Sequence, residues 1–218
     1  RKSITELVEN PYDSSEDGDA ITGFLSTGGT YATFVHTGLY SLIDGTLLPS
    51  GPTVYRKNLL TNEIEYVSIR TEYDEANEVT ATYFAATTNL FGVSDNGQFI
   101  LFTAGSNNFH PDDTDTTPDL YLKDMVTGDV TLVNESDLGS KSTGGIHSAS
   151  ISADGTSVVF FSTDSSLAGS GDNASRIYHR DLTAPEGSQL TVIAADGDGA
   201  GLVEDLEALV AISSDGSK

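Results

Sequence analysis

The chain has 218 residues, with 33 Asp and Glu against 10 Lys and Arg, a formal charge of -23, and no cysteine. Binding a phosphate backbone or an anionic membrane surface rests on Lys and Arg, so this balance excludes nucleic acid as an expected partner and disfavours acidic lipid. Without cysteine there are no disulfides or thiolate metal sites, and no run approaches the ~18 apolar residues of a membrane-spanning helix, so no membrane insertion is expected.

Taken in chain order, residues 1–10 hold Ile4-Thr5-Glu6-Leu7-Val8, which matches a later run, Val130-Thr131-Leu132-Val133, and is expected to close a preceding sheet. The next unit, 20–68, predicts strands at 20–25, at Thr30 to Val35, at the run ending in Tyr55 and Asn58, and at 63–67. A second unit, 88–134, predicts strands at 89–93, 98–102, the run around Tyr121 to Asp124, and 130–134. A third, 147–194, repeats the plan at 147–151, 156–161, Ile177 to Leu182 and 190–194, and residues 207–218 open a fourth with a strand over 208–212. The runs are four to six residues long, rich in β-branched and aromatic types and bounded by turn residues; this is too short for helix.

The repeat has a marker. Ser26, Ser94, Ser152 and Ser213 each stand three residues before Gly29, Gly97, Gly155 and Gly216, and the glycines lie 68, 58 and 61 residues apart. Tyr55, Tyr121 and Tyr178 recur 26, 24 and 23 residues after their glycine, with Asn58, Asp124 and Asp181 three further on. A repeat of this length, with four strands and their turns, predicts an all-β chain built as successive four-stranded antiparallel blades of a β-propeller. About three full blades are expected, with partial blades at both ends, in one segment of a larger ring; the tyrosines are expected to pack between blades.

The segment Ser152-Ala153-Asp154-Gly155-Thr156-Ser157-Val158-Val159-Phe160, continued by Tyr178-His179-Arg180-Asp181, resembles the repeat of TolB-type β-propellers, as does Ser94-Asp95-Asn96-Gly97 with Tyr121-Leu122-Lys123-Asp124. The first unit departs from that pattern, with Thr27-Gly28 in the turn and Lys57-Asn58 in place of the basic-acidic pair. The resemblance, which covers about 20–216, implies the fold, a prokaryotic origin and a periplasmic, secreted or cell-surface setting; such propellers serve as scaffolds, binding platforms and accessory domains, so it says little about function.

Carboxylates cluster in two loops that are candidates for calcium, which takes six to eight oxygen ligands. One is 112–119, with Asp112, Asp113, Asp115 and Asp119 between the second and third strands of the second blade; the alternative reading is a solvated loop with Asx turns. The other is 196–207, where Asp196, Asp198, Glu204 and Glu207 fall at positions 1, 3, 9 and 12 of an EF-hand-like loop with Gly201 at position 6. Ala200 at position 5 offers no side-chain oxygen, and the flanks read as strands, so a Gly-Asp linker between blades is the competing reading. No other cofactor is expected.

Catalytic signatures are missing: no Gly-x-Ser-x-Gly, no His-Glu-x-x-His and no dinucleotide fingerprint occurs. Gly139-Ser140-Lys141-Ser142-Thr143 has serine where a phosphate loop needs glycine before lysine, and His36, His147 and His179 are scattered over different repeat positions. The expected function is therefore non-enzymatic: a scaffold whose loops at 37–52, 104–118 and 162–175, all between second and third strands, contact protein, peptide or glycan. Two other readings stay open. One is a propeller that gates a prolyl oligopeptidase-like hydrolase domain lying outside this chain, and the other is a calcium-stiffened module of an adhesin.

Overall fold

The computed structural model describes residues 20–48, 51–106, 109–164, 166–169, 175–195 and 210–216. Among these, three four-stranded antiparallel sheets succeed one another along the chain. The first comprises β1 (Ala20–Leu25), β2 (Tyr31–His36), β3 (Thr53–Asn58) and β4 (Ile64–Tyr66) in that spatial order. After a separate hairpin, β5 (Ile69–Tyr73) and β6 (Val79–Phe84), comes the sheet of β7 (Thr87–Val93), β8 (Phe99–Ala104), β9 (Asp119–Asp124) and β10 (Val130–Leu132). The third sheet holds β11 (Ile146–Ile151), β12 (Ser157–Ser162), β13 (Arg176–Asp181) and β14 (Leu190–Ala195). Each strand pairs with its neighbour in sequence, the up-and-down order of a propeller blade.

The second strands β2, β8 and β12 are buried along nearly their whole length, because each is central in its sheet and covered on both faces. That is why they read as continuous apolar runs instead of alternating ones. Between the first two sheets a core forms from Val35, Val54 and Val67 on one side and Leu90, Ile100, Phe102 and Tyr121 on the other. Between the second and third, Leu101, Leu120, Leu122 and Val133 meet Val158, Phe160 and Tyr178. Each such side chain contributes roughly 1.5–3 kcal/mol on burial, so the sheets are joined face to face by apolar contact.

The serine-glycine turns complete the join. In each turn the serine Oγ accepts the amide of the residue five further on, from Tyr31 to Ser26 at 3.0 Å, Phe99 to Ser94 at 2.9 Å and Ser157 to Ser152 at 3.0 Å. The residue after each serine then bonds to its counterpart in the next blade: the Thr27 amide donates to the Asp95 carbonyl (3.1 Å), the Asp95 amide to Ala153 (2.8 Å) and the Ala153 amide to Ser214 (3.0 Å). First strands of neighbouring sheets lie against one another, so this ladder marks the axis around which the sheets are arrayed.

The basic residue of the repeat also links blades. Lys123 Nζ donates to the Ile69 carbonyl at 2.9 Å, and the Arg180 guanidinium donates to the equivalent Glu135 carbonyl, each crossing to the chain that leaves the preceding sheet. In the first unit, which lacks the basic-acidic pair, Arg56 reaches forward to the Gly97 carbonyl at 2.7 Å while stacked over Tyr31.

Between the first two blades, where the repeat assigns no strands, lies the β5–β6 hairpin. In the fourth unit the expected strand over 208–212 falls partly outside the described residues; the amides of Val210 and Ile212 donate to the side chains of Ser148 and Ser150 on β11.

Candidate functional site on the loop rim

In an up-and-down sheet all loops between second and third strands emerge at one end, so the β2–β3, β8–β9 and β12–β13 loops share a rim. Each is tied down by the recurrent tyrosine. Tyr55, Tyr121 and Tyr178 are fully buried and stand opposite Phe34, Phe102 and Phe160 on the neighbouring strand. Their hydroxyls reach into the loop of their own blade: Tyr55 accepts the Leu42 amide (3.3 Å), Tyr121 donates to Asp113 Oδ2 (2.6 Å) and Tyr178 donates to the Asp164 carbonyl (2.7 Å). Burial pushes the Tyr55 hydroxyl up to about 12, and burial together with the Asp113 acceptor raises that of Tyr121, so both stay protonated. Packing between blades, expected from the repeat, is joined by this loop-anchoring role.

In the first blade the loop folds on itself. The Ser41 amide bonds to Thr46 O, the Leu48 amide to Leu39 O, and Tyr40 bridges to Leu47. Tyr66 donates to the buried Ser41, which holds the loop on the sheet from below. This leaves Leu39, Tyr40, Ile43 and Leu47 between 36% and 66% exposed, four large apolar side chains on one ordered loop. Ser41, Leu42 and Leu48 take the buried positions.

The second-blade loop holds the expected acidic cluster, with a cation the sequence reading missed. Lys141, from the connection between β10 and β11, places Nζ 2.8 Å from Asp113 Oδ1, 2.8 Å from Asp115 Oδ1 and 2.6 Å from Asp119 Oδ2. The other oxygens are engaged too: Asp113 by Tyr121, and Asp119 Oδ1 by Asn134 Nδ2 at 2.7 Å. The Lys141 hydrogen bond and the Thr117 amide hold Asp115 low, whereas burial pushes Asp119 up to about 6 despite the ammonium. Despite its burial, Lys141 is raised by its three carboxylates. Asp112 is not drawn in; its carboxylate is largely exposed, 3.5 Å from His110 Nδ1. The other calcium candidates, Asp196, Asp198, Glu204 and Glu207, lie outside the described residues.

A signal for Lys141 existed: it is the sole Lys or Arg between Lys123 and Arg176. Its pairing with carboxylates also disposes of a phosphate-loop role for 139–143. Asn134, in a glycosylation triplet, is fully buried and hydrogen-bonded to Asp119 and to the Leu120 amide, so that side chain is withheld from glycan attachment.

In the third blade Asp164 joins the rim loop to the preceding linker. Its Oδ2 accepts the Thr143 amide (2.6 Å) and Ser142 Oγ (3.0 Å), and its Oδ1 accepts the Ser166 amide (2.7 Å). Burial would raise this carboxyl, but the bonds from Ser166, Thr143 and Ser142 outweigh it and hold the group down at about 2. A cavity of about 190 Å³ opens between the second and third blades, lined by Asp112, Glu135, Asp137, Arg180, Glu186 and Gln189. His36, His147 and His179 stand on β2, β11 and β13, one to a strand.

No protein-family model and no curated protein matches the sequence. Solved structures do. One from an analysis of two prolyl endopeptidases is 11% identical with a TM-score of 0.51, over 92% of this chain and 25% of that one. The propeller domain of the Trilobed protease from Pyrococcus furiosus is 13% identical, with a TM-score of 0.47 over 83% of this chain and 43% of its own. TolB from Acinetobacter baumannii is 15% identical, with a TM-score of 0.42 over 79% of this chain and 32% of its own. The chain thus spans less than half the length of each. The sheet order and the inter-blade ladder define the class: the chain has the fold of a β-propeller. TolB is among the structures it is similar to. No helix among the described residues is long and apolar enough to cross a membrane.

Proposed function

We propose that this chain is a non-catalytic binding scaffold of a secreted, periplasmic or cell-surface protein, and that it contacts a protein or peptide through the rim, chiefly through the β2–β3 loop of its first blade. The observation that carries this reading is the exposure of Leu39, Tyr40, Ile43 and Leu47 on a loop rigidified by its own hydrogen bonds and anchored through Tyr55 and Tyr66. Ordered apolar side chains on a rigid frame lose little entropy on binding, which favours a contact surface. Of the other two rim loops, one pairs Asp113 and Asp115 with Lys141 and leaves Asp112 exposed, and the other engages Asp164 with amides, so they add polar framing around that apolar loop.

Selection of a phage-displayed peptide library on the wild-type chain, with a Leu39→Ser, Leu47→Ser double variant as the control, tests the assignment. Peptides enriched on the wild type are expected to lose at least tenfold in affinity for the variant. Equal binding to both would refute the loop as the contact surface.

A further inference from the structure

The β5–β6 hairpin lies outside the blade repeat, and its two strands differ sharply. Strand β5 reads Ile69-Arg70-Thr71-Glu72-Tyr73, with charges at alternate positions, whereas β6 reads Val79-Thr80-Ala81-Thr82-Tyr83-Phe84 and has none. Natural sheets protect open edges with charge, proline or bulges. Strand β6 has neither charge nor proline; its register shifts opposite Glu72 and Tyr73, which leaves Thr80 without an opposed residue, and the regular, β-prone stretch is 81–84. Among the described residues β6 pairs with β5 alone.

The register shows which groups are left over. The Ala85 amide donates to the Ser68 carbonyl (3.0 Å), so that opposed pair is hydrogen-bonded. Alternation along Ile69↔Phe84, Arg70↔Tyr83, Thr71↔Thr82 and Glu72↔Ala81 then gives bonded pairs at Tyr83 and Ala81 and an unbonded pair at Thr82. The N–H and C=O of Thr82 therefore point away from β5. Thr80, Thr82 and Val79 are exposed, Val79 at 60%.

The strand is also held in place before any partner arrives. Phe84 packs edge-on against Tyr66 with centroids 5.4 Å apart, Tyr83 packs against the inter-blade core under the Arg70 guanidinium at 4.2 Å, and Lys123 grips the Ile69 carbonyl. An edge fixed at its root adds a strand without first paying to order itself.

Charge selects the occupant. Asp74, Glu75 and Glu78 crowd the exposed hairpin tip, and the whole chain carries -23. A second copy of this chain brings the same negative charge to the edge and is repelled, whereas an extended segment with Lys or Arg beside a β-prone core is attracted. We propose that the outer edge of β6 is a strand-addition site for an extended basic peptide segment of a partner protein. This goes beyond the rim reading and uses a different surface.

The test is amide-resolved NMR of the full chain titrated with a blocked peptide of alternating valine and threonine bearing lysine at both ends, beside a peptide with glutamate at both ends. Shifts centred on Thr80 and Thr82, slowed exchange of the Thr82 amide, and at least tenfold weaker binding of the glutamate peptide are expected. Thr82→Lys, which leaves the backbone intact and repels the peptide, is expected to abolish those shifts without moving the melting temperature by more than about 2 °C; Thr82→Pro, which removes the outward N–H and also fixes φ, is expected to abolish them too. Failure to bind at 1 mM, binding that survives Thr82→Lys, or dimerisation of the free chain through β6 in sedimentation would each overturn the proposal. Shifts mapping to 39–47 would overturn it too, while supporting the rim as a contact surface.

Discussion

At Gly97 and Gly155 two demands coincide. Both glycines have positive φ, 74° and 80°, and a Cβ at either would run into an aromatic ring of the preceding blade, Tyr31 for Gly97 and Phe99 for Gly155. Gly128 has φ of 84° but open space around its missing Cβ. Gly128→Ala is therefore expected to cost about 1 kcal/mol from backbone strain, whereas Gly155→Ala adds overpacking between blades and should cost about 3 kcal/mol. Denaturant melts of the two variants check the difference. Asp164 gives a pH signature. Its folded-state pKa lies below the ordinary 3.8, so its contribution is fully present above pH 4 and is lost as pH falls toward 2. Asp164→Asn is expected to melt several degrees below wild type at pH 6, with the gap closing by about pH 2, as thermal scans across that range would show. The glycines were legible because a fixed serine-to-glycine spacing recurs four times; their ring contacts were not, since Tyr31, Phe99 and Ser157 reveal themselves as one repeat position only when the blades are stacked.

Among elements, the blades were readable and the hairpin was missed for related reasons. Short apolar runs between Ser, Asn and Gly turns mark β2, β8 and β12, and the Asx side chains of Asn58 and Asp124 close the turn after the third strand by accepting amides two residues on. Residues 69–84 carry a strand signal of equal strength around the Asp74 to Asn77 turn, but they fall between repeats, where a four-strand period predicts only a link. The acidic loop shows the limit of spacing more clearly. Asp113, Asp115 and Asp119 converge because Lys141 enters from another element, and Asp112 turns out toward His110; neither fact is encoded in the local order of carboxylates. Lys141→Ala leaves two fully buried carboxylates without their cation and is expected to cost about 3–5 kcal/mol. Adding Asp119→Asn to that variant removes one buried charge while keeping an oxygen for Asn134, so part of the loss should return. Alone, Asp119→Asn should raise stability near pH 7, because a carboxyl pushed up to about 6 opposes folding as pH rises from 4 to 6. A double-mutant cycle by denaturant unfolding reads all three; a strictly additive cycle would contradict the ion cluster.

For the molecule as a whole, sheet-to-sheet contact is what a propeller adds to the sum of its hairpins. Apolar faces give the stabilisation, while the axial ladder and the Lys123 and Arg180 bridges set how one sheet is placed on the next. That frame makes the rim loops and the hairpin edge rigid platforms. Rotational repetition of the sheets is tested most directly by hydrogen exchange at the amides of Asp95 and Ala153. Both lie in turns at the surface, yet each donates to the carbonyl of the next blade at 2.8 and 3.0 Å. Protection of about a hundredfold or more at these two amides is predicted, in step with the amides of β8 and β12. Exchange as fast as in the open hairpin tip at 74–78 would contradict the stacked-blade arrangement.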